Sequence, residues 1–468
     1  MPRTKGSKNK GGDKAKKSAP GAKKSRLVKN EAENREPRKT KELGRLRGMR
    51  DILSDEYQYW DVAIKKAREL ARIYGFDRIE TPVLERQELY EKSTGRETDI
   101  VSKEMYNFVD RNGDKVALRP EATPSLVRAY IEHGMLNLPQ PVNMYWIGSI
   151  FRHEKPQAGR FRQAHQFDME IFGEAKPMAD ALLILVGYNF FKELQIPTQV
   201  QINSIGCAEC RGEYIKKLQA YYNERGKKNK MCADCKKRIK KNPLRVLDCK
   251  EPECVVLREN APQIIDSLCD NCRNHFVKVL EYLDEMEIPY NLNPQLVRGL
   301  DYYTRTVFEF WPEEGDESRQ MSLGGGGRYD YLIEQMGGRP TPACGFAIGL
   351  ERAISKMKEK EISLNKEAKN IVFIAQLGDM AKRKSMKLFE EMRKWGLEVR
   401  QSFTKDSLKA QLEDANKLGA RFALILGQKE VSEGTILIRD MESGIQEVID
   451  YKKVREELNR RFNEDKQV

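Results

Sequence analysis

What the chain lacks narrows the field first. No run of about 18 apolar residues exists, so a membrane-spanning helix is not expected. The N-terminus has no apolar core of the kind a secretory signal needs, which makes a cytoplasmic protein the default. There is no GxxxxGK[ST] and no strand-linked GxGxxG, so neither the Walker nor the dinucleotide phosphate cradle is available. Histidine is scarce, with four in 468 residues, and acidic charge is nearly missing from one end. Residues 1–47 hold 17 Lys or Arg against 5 Asp or Glu, a net of +12, whereas the whole chain carries +13. The remainder is therefore close to neutral. This basic leader, rich in Lys, Gly, Ser and Pro, has no apolar periodicity and is expected to be disordered. It reads either as a solvated leader or as a tether for polyanions. Unchanged RNA affinity at low salt after deletion of residues 1–40 would dispose of the tether.

Order is expected from about Gly48. Trp60, Ala63, Ile64, Ala67, Leu70, Ala71 and Tyr74 recur at helical spacing, and Gly75 ends the run. FDRIETPVLE then reads as a strand whose Pro82 suits an edge or a subunit interface. ALRPEAT, residues 117–123, places Glu121 at a strand-to-helix junction. There it could either receive an ammonium group or simply favour the helix dipole. NMYWIGSIF leads into Phe151-Arg152-His153-Glu154, and a polar loop then returns as HQFDMEIF, a pattern that predicts a hairpin. In the second strand Gln166, Asp168 and Glu170 share one face while Phe167, Met169 and Ile171 share the other. That polar face is either the wet side of an antiparallel sheet or the wall of a site.

Further on, LVRGLDYYTRTVFEF (296–310) is followed by Gly324 to Gly327, a stretch that lets a backbone approach a ligand, with Arg328 adjacent. ACGFAIGLERAI then sets Gly349, Glu351 and Arg352 where an apolar strand turns into a helix. Arg152, Arg298 and Arg352 each lie at the end of an apolar strand-like run. An arginine offers a planar fork of donors to phosphate, and a glutamate can accept from an exocyclic amine.

With these residues in view, the FRHE hairpin, the GLER segment and the Pro82 strand resemble motifs two, three and one of the class II aminoacyl-tRNA synthetases. More narrowly, RGLDYYTRTVFE, GGGGRYD and LRPEAT resemble signatures of the histidyl-tRNA synthetase family, over roughly nine-tenths of the chain. The resemblance implies an α+β fold with an antiparallel six-stranded catalytic sheet flanked by helices, a homodimer, and ATP with Mg2+. It also implies L-histidine and tRNA(His) as substrates. By motif, Arg152 and Arg298 would clamp the α-phosphate and the histidine carboxylate, Arg352 the γ-phosphate, and Glu154 the adenine. Glu121, Thr123 and Gln166 would hold the α-amino group; Glu170 and Tyr303 would meet the imidazole, with Tyr302 beside them. Gln157 would read the extra 5′ guanosine of the tRNA. The chemistry asks for fixed positive charge and no protein general base. His133, His153, His165 and His275 are accordingly expected to be structural or substrate contacts.

Eight of the nine cysteines fall in an insertion expected at 200–292: Cys207, Cys210, Cys232, Cys235, Cys249, Cys254, Cys269 and Cys272. In a cytosolic chain this spacing reads as thiolate ligands for two structural Zn2+ sites. One possible grouping is 207/210 with 232/235 and 249/254 with 269/272; vestigial buried thiols are the alternative. The insertion also carries KKNK and CKKRIKK, placed to face a tRNA acceptor arm. Cys344 stands apart as a core thiol. The expected division is a tail (1–47), a catalytic domain in two parts (48–199 and 293–354), the insertion, a linker (355–368) and a C-terminal domain (369–468). In that last domain strands alternate with helices, which predicts a small α/β unit with a mixed sheet, anticodon-binding by resemblance. Two rivals are a silent paralogue regulating histidine biosynthesis and a nucleic-acid-binding zinc module with a vestigial core. The intact RGLDYY and GLER arginines argue against both.

Overall fold

The computed structural model describes residues 43–96, 98–155, 159–313, 322–362 and 371–464. The first helix, Ser54–Ile73, buries Trp60, Ala63, Ala67, Leu70 and Ala71 along one stripe. It stops where Gly75 takes φ +74°, a conformation a Cβ disfavours. The strands follow in chain order: β1 (Asp77–Arg78), β2 (Leu84–Arg86), β3 (Asn107–Val109), β4 (Lys115–Leu118), β5 (Val142–Phe151), β6 (Gln163–Phe172), β7 (Thr198–Ser204) and β8 (Tyr290–Leu292). Next come β9 (Thr304–Pro312), β10 (Gly324–Arg328) and β11 (Ala343–Gly349), and then β12 (Ile371–Gln376), β13 (Glu398–Gln401), β14 (Phe422–Leu426), β15 (Thr435–Asp440) and β16 (Gln446–Asp450).

Eight of these make one sheet in the order β1-β5-β6-β11-β10-β9-β7-β8. Its six inner strands are all antiparallel to their neighbours. Short parallel strands, β1 on β5 and β8 on β7, add one to each edge. The expected six-stranded antiparallel sheet is thus the core of a wider one. β2, β3 and β4 form a separate three-stranded sheet, and β12 to β16 form a mixed sheet of five in the order β13-β12-β14-β15-β16.

The β5–β6 hairpin pairs Phe151 with Gln163 and Val142 with Phe172. The apolar face of β6, Phe167, Met169 and Ile171, packs with Leu183, Ile184, Phe190 and Phe191 of the Pro177–Glu193 helix. Its polar face is not wet: Asp168 and Glu170 are each 1% exposed.

Between β7 and β8 the chain makes the helices Ala208–Asn223, Arg225–Lys230, Ala233–Lys241, Pro252–Glu259 and Asp270–Glu285. Tyr214, Leu218, Tyr222, Ile239, Val246 and Leu257 of this excursion share one apolar cluster with Leu296, Val297, Tyr302 and Tyr303. The excursion is therefore packed on the sheet and does not hang from it as a separate module.

Three expected limits fall inside secondary-structure elements. The limits 200 and 292 fall inside β7 and β8, because they were drawn around the cysteines while TQVQINS alternates as a sheet strand. The expected linker begins inside the Leu350–Glu359 helix, whose apolar stripe continues through Ile354 and Met357; the linker's residues from 363 lie outside the described ones. So do residues 1–42 of the basic tail.

Candidate active site

The polar face of β6 looks into a cavity of about 650 Å3. Arg152, Glu154, Arg298 and Arg352 line it together with Glu121, Thr123, Gln166, Tyr302 and Tyr303. Segments from five separate parts of the chain thus meet there, as the motif reading requires. Glu170 does not line the open space. It sits behind the wall, where the Thr123 hydroxyl donates to it at 2.7 Å and the Tyr329 hydroxyl donates to its other oxygen. Gln157 lies outside the described residues.

One end of the cavity is acidic and dry. Glu121 is 4% exposed and accepts from the Thr94 hydroxyl and, at 2.9 Å, from that of Tyr302. Burial pushes the carboxyls of Glu121 and Asp168 above their usual range, and that of Glu170 to about 8. Asp168 is raised further by Glu170 and Glu121. Asp168 Oδ1 and Gln166 Oε1 are buried and accept no hydrogen bond. Crowded carboxyls with unused acceptors form a place for a cation that brings N–H donors.

The other end is basic. Arg152 donates from Nε to the Pro120 carbonyl at 2.7 Å, which ties it to the residue before Glu121. Arg298 pairs with Glu309 and lies 5.7 Å from the centre of the Tyr303 ring. Arg352 donates to the Ser322 carbonyl at 2.5 Å. Burial, and then the nearby Arg160 and Arg152 cations, hold its guanidinium below its ordinary pKa. Glu154 pairs with Arg160 at 3.3 Å. A guanidinium held down by burial and by cationic neighbours, as that of Arg352 is, is relieved by a polyanion.

Gly324 and Gly325 line the cavity, and the glycines also make room for neighbouring side chains. A Cβ at Gly325 would come 2.7 Å from Arg298 Nη1, one at Gly327 3.0 Å from the Tyr303 ring, and one at Gly345 1.5 Å from Glu170 Oε2. β10 and β11 give up side chains so that Arg298, Tyr303 and Glu170 can lie flat across them. Arg328 is no ligand candidate, because it is fully buried with 2.5 Å and 3.1 Å bonds to Asp180. His275 Nε2 lies 3.3 Å from the same carboxylate. His165 pairs through Nδ1 with Glu351 at 2.8 Å and stacks edge-on against Trp60, a structural role.

Four participants had no assigned role in the sequence reading: Asp168, Tyr329, Glu309 and Thr94. Strand alternation already placed Asp168 on the site face, and Tyr329 stands in GGGGRYD, one residue past Arg328. Glu309 is the last residue of the RGLDYYTRTVFE stretch, but nothing in the sequence assigns it a partner. Thr94 lies in an irregular turn that carries no signal.

The eight insertion cysteines form two clusters, Cys207/Cys210/Cys269/Cys272 and Cys232/Cys235/Cys249/Cys254, each with its sulfurs within 4.8 Å of one another. This corrects the suggested grouping, which followed sequence order. The Asp270–Glu285 helix brings Cys269 and Cys272 back to the start of the Ala208–Asn223 helix, 62 residues from Cys207. Sulfur separations of 3.5 and 4.0 Å in the first cluster and 3.9 Å in the second match the ~3.8 Å edge of a tetrahedron with Zn–S bonds of about 2.3 Å. Backbone N–H groups point at the sulfurs, Cys235 to Cys232 at 3.4 Å and Cys269 to Cys210 at 3.1 Å, as thiolates need. All eight are free thiols, and the donor set fits zinc.

Residues 48–353 match the family model described as Histidyl-tRNA synthetase, and residues 371–461 that described as Anticodon binding domain. A Histidine--tRNA ligase of Dehalococcoides mccartyi is 47% identical over 404 residues, covering 86% of this chain and 96% of the relative. One of Natranaerobius thermophilus is 43% identical over 415 residues, covering 88% and 97%. Among solved structures, apo S. aureus histidyl-tRNA synthetase superposes with a TM-score of 0.75 at 30% identity, covering 89% of this chain and 100% of that one.

An antiparallel core sheet whose hairpin arginine faces a second arginine at a strand-to-helix turn defines a class II aminoacyl-tRNA synthetase, an ATP-dependent enzyme. The loop 298–303, the glycine strand and the matches over both parts of the molecule go further: the chain belongs to the histidyl-tRNA synthetase family.

Proposed function

We propose that this cavity joins L-histidine to tRNA(His) in two steps. In the first, an oxygen of the histidine carboxylate attacks the α-phosphorus of ATP and pyrophosphate leaves. In the second, the acyl group of the adenylate passes to the terminal ribose of the tRNA and AMP leaves. The observation that carries this reading is the polarity of one cavity, with buried carboxyls and idle acceptors at one end and the converging guanidinium groups of Arg152, Arg298 and Arg352 at the other. A histidine adenylate has that same polarity. Its α-ammonium group suits Glu121, Gln166, Thr123 and the unclaimed Asp168, and its imidazole suits the Tyr303 and Glu170 end. Arg152 and Arg298 suit the carboxylate and α-phosphate, Arg352 the γ-phosphate, and Glu154 the adenine once Arg160 is drawn to phosphate. Mg2+ enters with the ATP.

An imidazole needs both a donor and an acceptor, so apolar amino acids would strand buried polar groups and be rejected. The test is histidine-dependent exchange between ATP and pyrophosphate. Exchange that depends on histidine and is absent with leucine is expected; a protein that binds both substrates yet exchanges none would leave the regulatory reading in place.

Each cysteine cluster would hold one structural Zn2+. The revised division puts the catalytic domain at 48–204 and 290–359, the insertion at 205–289 and the anticodon-binding domain at 371–464. A homodimer is supported by the three-stranded sheet, which exposes Val83, Leu84, Phe108 and Val109. Gln157 and the basic tail would meet the tRNA.

A further inference from the structure

We propose that the two cysteine clusters are positioning devices for histidine binding: filled with zinc, they hold from two sides the loop 298–303, which carries Arg298, Tyr302 and Tyr303. This rests on the reading of the cavity as a histidine site. The loop has no strand ladder of its own, so its shape depends on bonds from outside it. Besides the Tyr302 bond to Glu121 and the Arg298 pair with Glu309, several of those bonds come from residues beside the cysteines.

On the first side, Arg211 follows Cys210 directly and donates from Nη2 to the Tyr303 carbonyl at 2.5 Å. Just before Cys207, Ile205 donates to the Arg305 carbonyl at 2.7 Å, and the Gly206 carbonyl accepts from Arg305 N at 2.9 Å. Arg305 leaves the loop at φ +49°, a left-handed conformation that a non-glycine residue holds only when its surroundings impose it. Gly206, at φ +65°, is itself packed on Cys210, whose Cβ lies 2.9 Å from where its side chain would begin. The backbone bonds that impose the strained exit thus belong to the turn that presents the first cluster.

On the second side, the Ala233–Lys241 helix starts at Cys232 and ends at Asn242, whose Nδ2 donates to Asp301 Oδ1 at 2.5 Å. Arg245 Nη1 lies 2.8 Å from where a side chain on Gly299 would begin, and four residues later the chain returns to the cluster at Cys249. Arg238 and Arg245 also donate to Asp99 at 3.1 and 3.2 Å. Asp99 lies in the segment just after Thr94, the residue that bonds Glu121. A chain tied at Cys235 and Cys249 to one ion would fix all three donors together, whereas loose ends would let them drift.

The test uses the full-length protein loaded with zinc. Arg211→Ala and Asn242→Ala should keep wild-type metal content while raising the histidine dissociation constant, measured by calorimetry, and the histidine KM about tenfold, the worth of one hydrogen bond to or from a charged group. The KM for ATP should stay within about twofold, and Arg211→Lys should recover part of the loss. Stripping zinc from the wild type should weaken histidine binding, and Arg211→Ala should add little once the metal is gone, since both act through one contact. If stripping unfolds the protein, the loaded variants decide alone. Wild-type histidine affinity in both loaded alanine variants overturns the proposal. Loss of all histidine-dependent exchange in the loaded wild type would instead overturn the reading of the cavity.

Discussion

At the scale of single residues, Glu170 combines two roles that pull against each other. Its carboxyl is held near pKa 8 against an ordinary 4.5, first by burial. The folded protein therefore keeps a proton that the unfolded chain gives up, and the stability this confers is lost as pH climbs from about 4.5 to about 8. The slope is up to ~1.4 kcal/mol per pH unit for one proton. Glu170→Gln has no such term. Urea unfolding at several pH values should show the variant gaining on the wild type across that window, with a constant difference below it. In the same variant histidine activation should fall up to about tenfold through loss of the carboxyl at the imidazole end; a pH-independent difference, or full activity, would contradict the role. The sequence showed Glu170 on a polar strand face but not the Thr123 and Tyr329 hydroxyls that reach it, because these come from distant segments.

Among the elements, the β5–β6 hairpin was the most legible, because its alternation and polar loop are local signals. The enclosure of its polar face was not, since Thr123 and Tyr329, which reach Glu170 on that face, come from segments far from it along the chain. The glycine strand was visible as a run, but its purpose was not. Only the register of β10 against β9 shows which side chains the missing Cβ atoms admit. The cysteines were legible as a group but not as the two clusters they form, because the clustering depends on where the Asp270–Glu285 helix begins. Elemental analysis of freshly purified protein should find two zinc ions per chain. Chelation should then collapse hydrogen-exchange protection in the helices Ala208–Asn223 and Ala233–Lys241 while the hairpin stays protected. Protein without zinc, and with those helices equally protected, would make the thiols ordinary core groups.

For the whole molecule, composition and period suggested an order of segments, while the expected limits 200 and 292 fall within the sheet strands β7 and β8. Exposed apolar residues on the three-stranded sheet predict association. Leu84, Phe108 and Val109, with Val83 just before β2, are 41 to 61% exposed, and burying the remainder of each would contribute about 1 kcal/mol. Sedimentation at micromolar concentration should give twice the chain mass, and Phe108→Asp with Val109→Asp should shift it toward the monomer; a wild-type monomer would rule the dimer out. The main-chain floor under Arg298, Tyr303 and Glu170 carries a consequence for descent. A surface made of peptide backbone cannot be reshaped by point mutation except by filling it, so a lineage that drifts toward another amino acid must do so through the walls. The oldest part of this site would then be the part with no side chains to change.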